Sequence, residues 1–500
     1  MPSLRFAGGI TLCVALSAGC AVVTSSGDGN PEDHVTLASE PTMLTYVDPA
    51  SVQGLNPETI SGESRQPHLH LSYPSLADTP ALNKRLKTDM TKAANYYTAH
   101  TKTADRFPAP EYNVDWQLTA ASPDVVGVRL RTGEFEGTRW ANSTRTLWYD
   151  RPADRVLGSA QLVNDLDLLA ALVKQHLARD PAVDSEAVRP DPLLFDSLDF
   201  NSRGDLVAEF DDYQVAPGSM GRIATAIPRK DADALLTPFG RRARRAVENV
   251  KPATVPEIVT MSGGGGRSGP NAGTPDLGTA ADRKGRVNCA VATCVALTFD
   301  DGPGPNTAQV LDALGDNRAT FFTLGSNAAV RPELLARMRE RGHEVANHTW
   351  SHRDLTTMPE NRVYEQLSRT QSFIKGITGN TPTLVRAPYG ATDPDVAEVA
   401  RELGLAVVQW NVDPKDWRDE DPDAIAARTL GGVRRNSIVL LHDTNPATAD
   451  AIPAIVAGLA ARGFTLVTVP ELYGPGQLAP GHTYDAGGTA AVSRRGQPLL

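Results

Sequence analysis

Cysteine is nearly absent from this 500-residue chain: there are four, Cys13, Cys20, Cys289 and Cys294. So few exclude a disulfide-dense scaffold and a cysteine-rich zinc module. Positive charge is also short. Lys and Arg total 49 against 59 Asp and Glu, a formal net charge of −10. That argues against a nucleic-acid partner, because a phosphate backbone rewards the opposite sign. No run of about 18 consecutive apolar residues occurs, so no stretch reads as a mature transmembrane helix. What is present is ordinary core material. The chain is 41% hydrophobic and 22% charged, which excludes wholesale disorder. At roughly 150 residues per domain the length allows about three units, or two plus linkers. The 42 Gly and 37 Pro exceed the usual share, and that surplus is expected in linkers.

The first residues carry a compartment signal. Arg5 precedes a nearly uncharged apolar stretch over residues 6–18 that ends in Leu16-Ser17-Ala18-Gly19-Cys20. It is too short to span a bilayer and reads as the apolar region of a secretory signal, 1–19. The alternative, a buried N-terminal helix, suits Gly8, Gly9 and Gly19 poorly. Small residues just before a cysteine resemble the lipobox of bacterial lipoproteins. That resemblance implies that Cys20 becomes the lipidated first residue and Cys13 is removed. Residues 20–45 are then a polar tether, and the protein is exported and lipid-anchored to the outer face of the cytoplasmic membrane. In such a chain Cys289 and Cys294 are free to oxidise, and their spacing allows a short loop. They are read as a disulfide, with two inert thiols beside a strand as the alternative.

Periodicity divides the remainder. Residues 46–250 alternate with period two at 68–71, 112–118, 125–130, 146–149 and 206–210, with helical patterns at 80–97, 165–178 and 232–250, an α+β arrangement. His68 and His70 share one face of such a strand. They are read as half-exposed strand positions, with metal binding as the alternative. Residues 251–286, with four consecutive glycines at 263–266, read as a flexible linker. From 287 to 475 seven short apolar runs alternate with helical patterns, which predicts a parallel α/β sheet, open or closed into a barrel. Pro332, Pro359 and Pro394 suit first helical turns. The Gly-, Ala- and Pro-rich stretch 476–500 is expected to be a disordered tail.

Chemistry gathers at the ends of these strands. Asp300-Asp301-Gly302-Pro303 follows the first, His348-Thr349-Trp350-Ser351-His352 the third, and Arg386-Ala387-Pro388-Tyr389-Gly390 the fourth. Asp413-Pro414-Lys415-Asp416-Trp417 follows the fifth, and His442-Asp443 the sixth. In α/β folds the C-terminal strand ends form the functional face. Each piece alone has a bland reading: Asp-Asp-Gly is turn chemistry, Arg386 a salt-bridge residue, His442 a core histidine. Together they deliver two imidazoles and a carboxylate to one rim, a set typical of catalytic zinc. If 348–352 forms a helical turn, both rings share one face.

In that order, with Thr298-Phe299 before the first motif and Leu441 before the last, the five motifs resemble those of the NodB-type polysaccharide deacetylases, carbohydrate esterase family 4. The likeness covers about 287–475. It implies a distorted (β/α) barrel, here preceded by an α+β domain, and metal-dependent hydrolysis of N-acetyl groups on sugars. Asp301, His348 and His352 would hold the metal, zinc or another divalent transition ion such as cobalt. Asp300 would be the general base and His442 the general acid. The Tyr389 N–H would help hold the oxyanion, Arg386 would tune Asp300, and Asp416 would tune His442. Trp417 and Leu441 would line the acetyl pocket. Ala387 and Arg353 stand where the family often has proline. No motif residue is missing.

Residues 199–218 resemble part of the extracellular domain shared by lysozyme-sensing anti-sigma factors and some Bacillus-type peptidoglycan deacetylases. This implies a wall-associated module for 46–250, with a passive spacer as the alternative, and a wall or lysozyme-like protein as its ligand. The reading is a tethered deacetylase of peptidoglycan amino sugars. The alternatives are a deacetylase of chitin or O-acetylated xylan, and a binding lipoprotein.

Overall fold

In a computed structural model of the chain, the described residues are 41–62, 67–101, 108–250, 287–418 and 421–487. The signal segment, Cys20 and the linker 251–286 lie outside them. No helix among the described residues is long and apolar enough to cross a membrane.

The N-terminal unit opens with β1 (Leu55–Gly62), β2 (His68–Leu76), α1 (Pro80–His100), β3 (Glu111–Ala121), β4 (Val125–Phe135), β5 (Trp140–Asp150) and β6 (Arg155–Gly158). These six strands form one sheet in chain order. All pairs are antiparallel except β2–β3, which α1 connects. Helix α1 buries Leu82, Leu86, Met90, Ala94 and Tyr97, a stripe at helical spacing. That stripe packs on Leu71, Val114, Leu118, Val128 and Leu130 of the sheet.

A second core follows, built by α2 (Leu166–Leu177), the three-stranded sheet β7 (Leu198–Phe200), β8 (Leu206–Phe210) and β9 (Ile223–Ile227), and helices α3 (Arg229–Ala232) and α4 (Pro238–Glu248). One buried ion cluster joins the two sheets. Arg129 of β4 gives two hydrogen bonds to the Glu209 carboxylate of β8, at 2.6 and 2.7 Å, and Arg222 adds a third at 2.5 Å. Burial alone would raise the Glu209 pKa, but the two guanidiniums outweigh it and bring it down to about 2.

The C-terminal unit is β10 (Cys294–Asp300), α5 (Thr307–Leu314), β11 (Thr320–Thr323), α6 (Gly325–Val330), α7 (Pro332–Glu340), β12 (Glu344–Asn347), α8 (Glu360–Thr378), β13 (Leu384–Val385), α9 (Pro394–Glu402), β14 (Ala406–Val408), α10 (Pro422–Gly432), β15 (Ile438–His442), α11 (Pro446–Ala461), β16 (Thr465–Leu466), α12 (Val469–Tyr473) and β17 (Thr483–Tyr484). The sheet runs β15-β10-β11-β12-β13-β14-β17, with β16 also on β10. Every pairing is parallel. Beyond β14, a parallel bridge from Val412 to Val439 brings the chain back to β15, giving the distorted (β/α) barrel. Strand β10 is buried at all seven positions, as expected for parallel strands covered on both faces. Val295, Leu297 and Phe299 face the helices, whereas Cys294 and Ala296 face the barrel interior with Phe322 and Val408. Cys289 and Cys294 are joined by a disulfide at the foot of β10.

Three expectations need correction. Residues 476–487 are not a tail: β17 pairs with β14, and Tyr484 is buried with its hydroxyl on the Gln477 carbonyl. Two strand residues among glycines and prolines are too few to show periodicity. Pro359 is the N-cap of α8 and not a first-turn residue. Residues 348–352 form no helical turn; Thr349 and His352 have φ of 68° and 56°.

Glu209→Gln should destabilise the chain by about 3–5 kcal/mol, because Arg129 is then a buried charge without its counterion. The Glu209 carboxyl lies lower in the folded chain than its ordinary 4.5. Its contribution is therefore present above about pH 4.5 and lost as pH falls toward 2. Urea unfolding across that range checks both statements, and a wild-type midpoint for the variant at pH 7 would refute them.

Candidate functional site

The barrel sets five chain segments at one rim. Asp300 ends β10, beside His442 at the end of β15 in paired register. His348 follows β12 and Arg386 follows β13, whose strands pair at Asn347 and Val385. Eight non-glycine residues among those described have positive φ, and five belong to this rim: Asp301, Thr349, His352, Tyr389 and Lys415. Such conformations cost free energy and persist where surrounding structure imposes them, typically at functional sites. Gly302 has a steric reason: a Cβ there would overlap the Asp443 carboxylate. That carboxylate accepts from Thr307 at 2.5 Å, and burial pushes its pKa up to about 7.

Asp301, His348 and His352 converge. Asp301 Oδ1 lies 3.4 Å from His348 Nε2 and 3.3 Å from His352 Nε2. It is buried and has no hydrogen bond among the described residues, an unusual state for a carboxylate oxygen. His348 Nδ1 lies 2.7 Å from the Arg386 carbonyl, so it carries the proton and leaves Nε2 a lone pair for a ligand. Burial opposes ionisation of Asp301, yet the neighbouring imidazoles of His352, His348 and His442 hold its carboxyl well below the usual range. Burial pushes the His352 pKa well down. One carboxylate and two imidazoles directed at one point, with an orphaned oxygen among them, fit a divalent metal ion.

Two charged pairs flank that point. Arg386 is fully buried and donates to Asp300 Oδ1 at 2.8 Å, to Thr298 Oγ1 at 2.8 Å, and to the carbonyls of Val408 and Gln409. His442 Nδ1 lies 2.9 Å from Asp416 Oδ1. The other Asp416 oxygen accepts from the His442 N–H at 2.7 Å and from Thr448 at 2.6 Å. His442 is thereby oriented with Nδ1 protonated. Tyr389 sits in the left-handed region, at φ 59° and ψ 8°. Trp417 lies in the short turn Asp416–Arg418 and is half-buried.

Leu441 does not line the cleft. It packs in the helix-facing cluster with Leu297, Phe299 and Val439, because strand side chains alternate. The buried residue on the His442 face is Leu440. Period-two counting back from His442 would have selected it.

The N-terminal sheet packs against the site. His68 and His70 are not half-exposed: they are 7% and 1% exposed, on the β2 face opposite α1. His68 stacks on Tyr389, centroids 3.8 Å apart, with Nδ1 3.4 Å from Asp354 Oδ2. His70 lies against His352, and burial brings its pKa down to about 4. Asn113 of β3 donates to the carbonyls of Ser351 and His352, at 3.0 and 3.2 Å. Glu111 accepts from the Asp354 N–H at 3.2 Å. Trp140 donates to the Thr357 carbonyl at 2.9 Å and carries Arg353 over its ring. Sequence reasoning missed Asn113, Glu111 and Trp140 as parts of this site. The only signal for Glu111 and Asn113 was that polar residues alternate along β3; Trp140, at the start of β5, had none.

Comparison with known proteins agrees with the barrel. The family model Polysaccharide deacetylase matches residues 288–408. The peptidoglycan-N-acetylglucosamine deacetylase PgdA of Listeria monocytogenes is 41% identical over 183 residues, 36% of this chain and 39% of that protein. The match thus spans well under half of that relative. The chitooligosaccharide deacetylase of Sinorhizobium fredii is 40% identical over 197 residues, 36% of this chain and 92% of that protein. The peptidoglycan-N-acetylmuramic acid deacetylase PdaC of Bacillus subtilis is 29% identical over 433 residues, 83% of this chain and 87% of that protein, an alignment that extends into the N-terminal unit.

Asp301→Asn keeps the shape of the side chain and removes its charge. It should weaken divalent-metal binding by roughly 100-fold or more, since even groups behind the ligands are worth 10–100-fold. Titration of chelator-stripped protein measures this, and an unchanged affinity would remove Asp301 from the ligand set.

Proposed function

Because the chain belongs to the polysaccharide deacetylase family, we propose that it hydrolyses the N-acetyl group of cell-wall amino sugars, N-acetylglucosamine or N-acetylmuramic acid of peptidoglycan. One observation carries the reading. Asp300 held by Arg386 and His442 held by Asp416 flank the Asp301–His348–His352 point. The ion expected there is zinc, with cobalt as an alternative; when bound, it polarises the acetyl carbonyl and acidifies the attacking water.

The chain's own groups supply the rest. Asp300 is the acceptor for the water proton. The Arg386 guanidinium fixes its orientation through a 2.8 Å hydrogen bond to Oδ1. His442 is the donor that protonates the departing amine nitrogen, without which an amide does not leave. Asp416 stabilises the imidazolium and holds its orientation. The Tyr389 N–H is the proposed second partner of the oxyanion. Trp417 and Leu440 are the proposed contacts of the acetyl methyl. The products are acetate and the free amine.

Lipidation at Cys20 and anchoring at the outer face of the cytoplasmic membrane belong to this proposal, supported by the small-residue motif before that cysteine. A wall or lysozyme-like ligand of the N-terminal unit is supported only by the likeness over 199–218. A chitin-type substrate is the second reading, favoured by the likeness to a chitooligosaccharide deacetylase over 92% of its length. Acetylated xylan is the third comparison.

Acetate release from peptidoglycan, chitooligosaccharides and acetylated xylan tests these readings in one assay. Peptidoglycan is expected to be preferred, and chelation should abolish release until metal is restored. Asp300→Asn and His442→Ala should each lose about 10²–10⁴-fold in kcat. Equal acetate release by wild type and Asp300→Asn would overturn the assignment of the base.

A further inference from the structure

Strand β2 turns one face to α1 and the other to the barrel rim. His70 on the rim face is 1% exposed, and neither ring nitrogen has a hydrogen-bond partner among the described residues. Buried polar groups are nearly always satisfied, so an imidazole in this state indicates a missing partner. Its surroundings identify that partner. One ligand atom each from His70, Asp301 and His352 lie within 4.8 Å of one another. The His70 ring rests on the His352 ring, centroids 4.3 Å apart and planes at 20°.

We propose that His70 is a fourth protein ligand to the metal held by Asp301, His348 and His352, so that the N-terminal sheet completes and closes the metal centre. The inference rests on the reading of those three as ligands. It adds a ligand from a unit that the five motifs do not reach.

The geometry is close to what such a site requires. Ligand atoms around a tetrahedral zinc stand about 3.3 Å apart, which the Asp301 contacts already match at 3.4 and 3.3 Å. The outer bound on the His70 spacing is 4.8 Å, about 1.5 Å longer than that edge. The strand itself is fixed. His70 pairs in register with Ser61 and Asn113, and Asn113 holds the carbonyls of Ser351 and His352. The strands that carry His70 therefore grip the loop that carries His352. Two residues along, His68 anchors the same face on Tyr389 and Asp354.

The consequence is functional. Catalytic zinc has three protein ligands and keeps one position for water or substrate, whereas four protein ligands make a closed site. The docked arrangement is then a latent form, and turnover requires the β2–β3 face to withdraw.

Zinc-loaded full-length protein tests this by X-ray absorption at the zinc edge, which counts imidazole ligands. Three are expected in the wild type and two in His70→Gln; two in both would overturn the proposal. Cobalt-loaded wild type is a second readout that needs no variant. Intense four-coordinate absorption supports the proposal, and the weak absorption of a more open site opposes it. His70→Gln should also weaken metal affinity by about tenfold or more. Metal bound through two imidazoles removes His70 alone, while a wild-type chain that takes up no metal overturns the three-ligand reading as well.

Discussion

The buried guanidinium of Arg386 is the interaction on which the site depends. With no exposed surface it bonds to groups on two strands or their immediate continuation: Thr298 and Asp300 of β10, Val408 of β14, and Gln409 just beyond it. Its carbonyl orients His348 from β13's side. One residue thus fixes the carboxylate expected to act as base and the tautomer of an imidazole proposed as a metal ligand. A buried charge demands such partners, and the demand gives precision: four of its five N–H donors met in one geometry leave the neighbouring groups little freedom. The centroid of the Phe322 ring lies 4.1 Å from the guanidinium carbon, a cation–π contact on its face.

Much of this was legible in the sequence because parallel α/β architecture converts chain order into spatial proximity. Five short runs ending in Asp300, His348, Arg386, Asp416 and His442 had to share a rim once their strands were parallel neighbours. What escaped notice has equally physical reasons. Strand β17 is two residues long, below the length at which period two can be seen. The resemblance implied Leu441 for the cleft, whereas strand alternation puts Leu440 there. His68 and His70 looked half-exposed because a single strand records its own alternation but not what covers its polar face.

That polar face explains the relation between the units. An antiparallel-rich sheet ordinarily turns one face to its core and the other to water. Here the second face holds His68, His70, Glu111, Asn113 and Asp115, and all five are buried. Burial of this many polar groups requires partners, and the loop 350–358 supplies several. Apart from the short 3-10 turn Leu355–Thr357 it has no regular structure, so several of its N–H and C=O groups are not committed to a ladder and can bond to Asn113, Glu111 and Trp140. Arg353, where the family often has proline, places its guanidinium over Trp140 and beside Gly133, where a Cβ would overlap it. The departure from the family pattern and the glycine opposite it are complementary features of one contact.

The loop therefore serves two masters. It carries His352 toward Asp301 through a left-handed φ of 56°, and it offers its outer edge to the N-terminal sheet. A residue held in that conformation needs its flanking backbone restrained, and the hydrogen bonds from Asn113 to Ser351 and His352 restrain it from outside the barrel. Docking of the N-terminal sheet and the position of the His352 imidazole are consequently not independent. Any motion that frees β2 and β3 also releases the carbonyls of Ser351 and His352, so access to the centre and the shape of the centre change together.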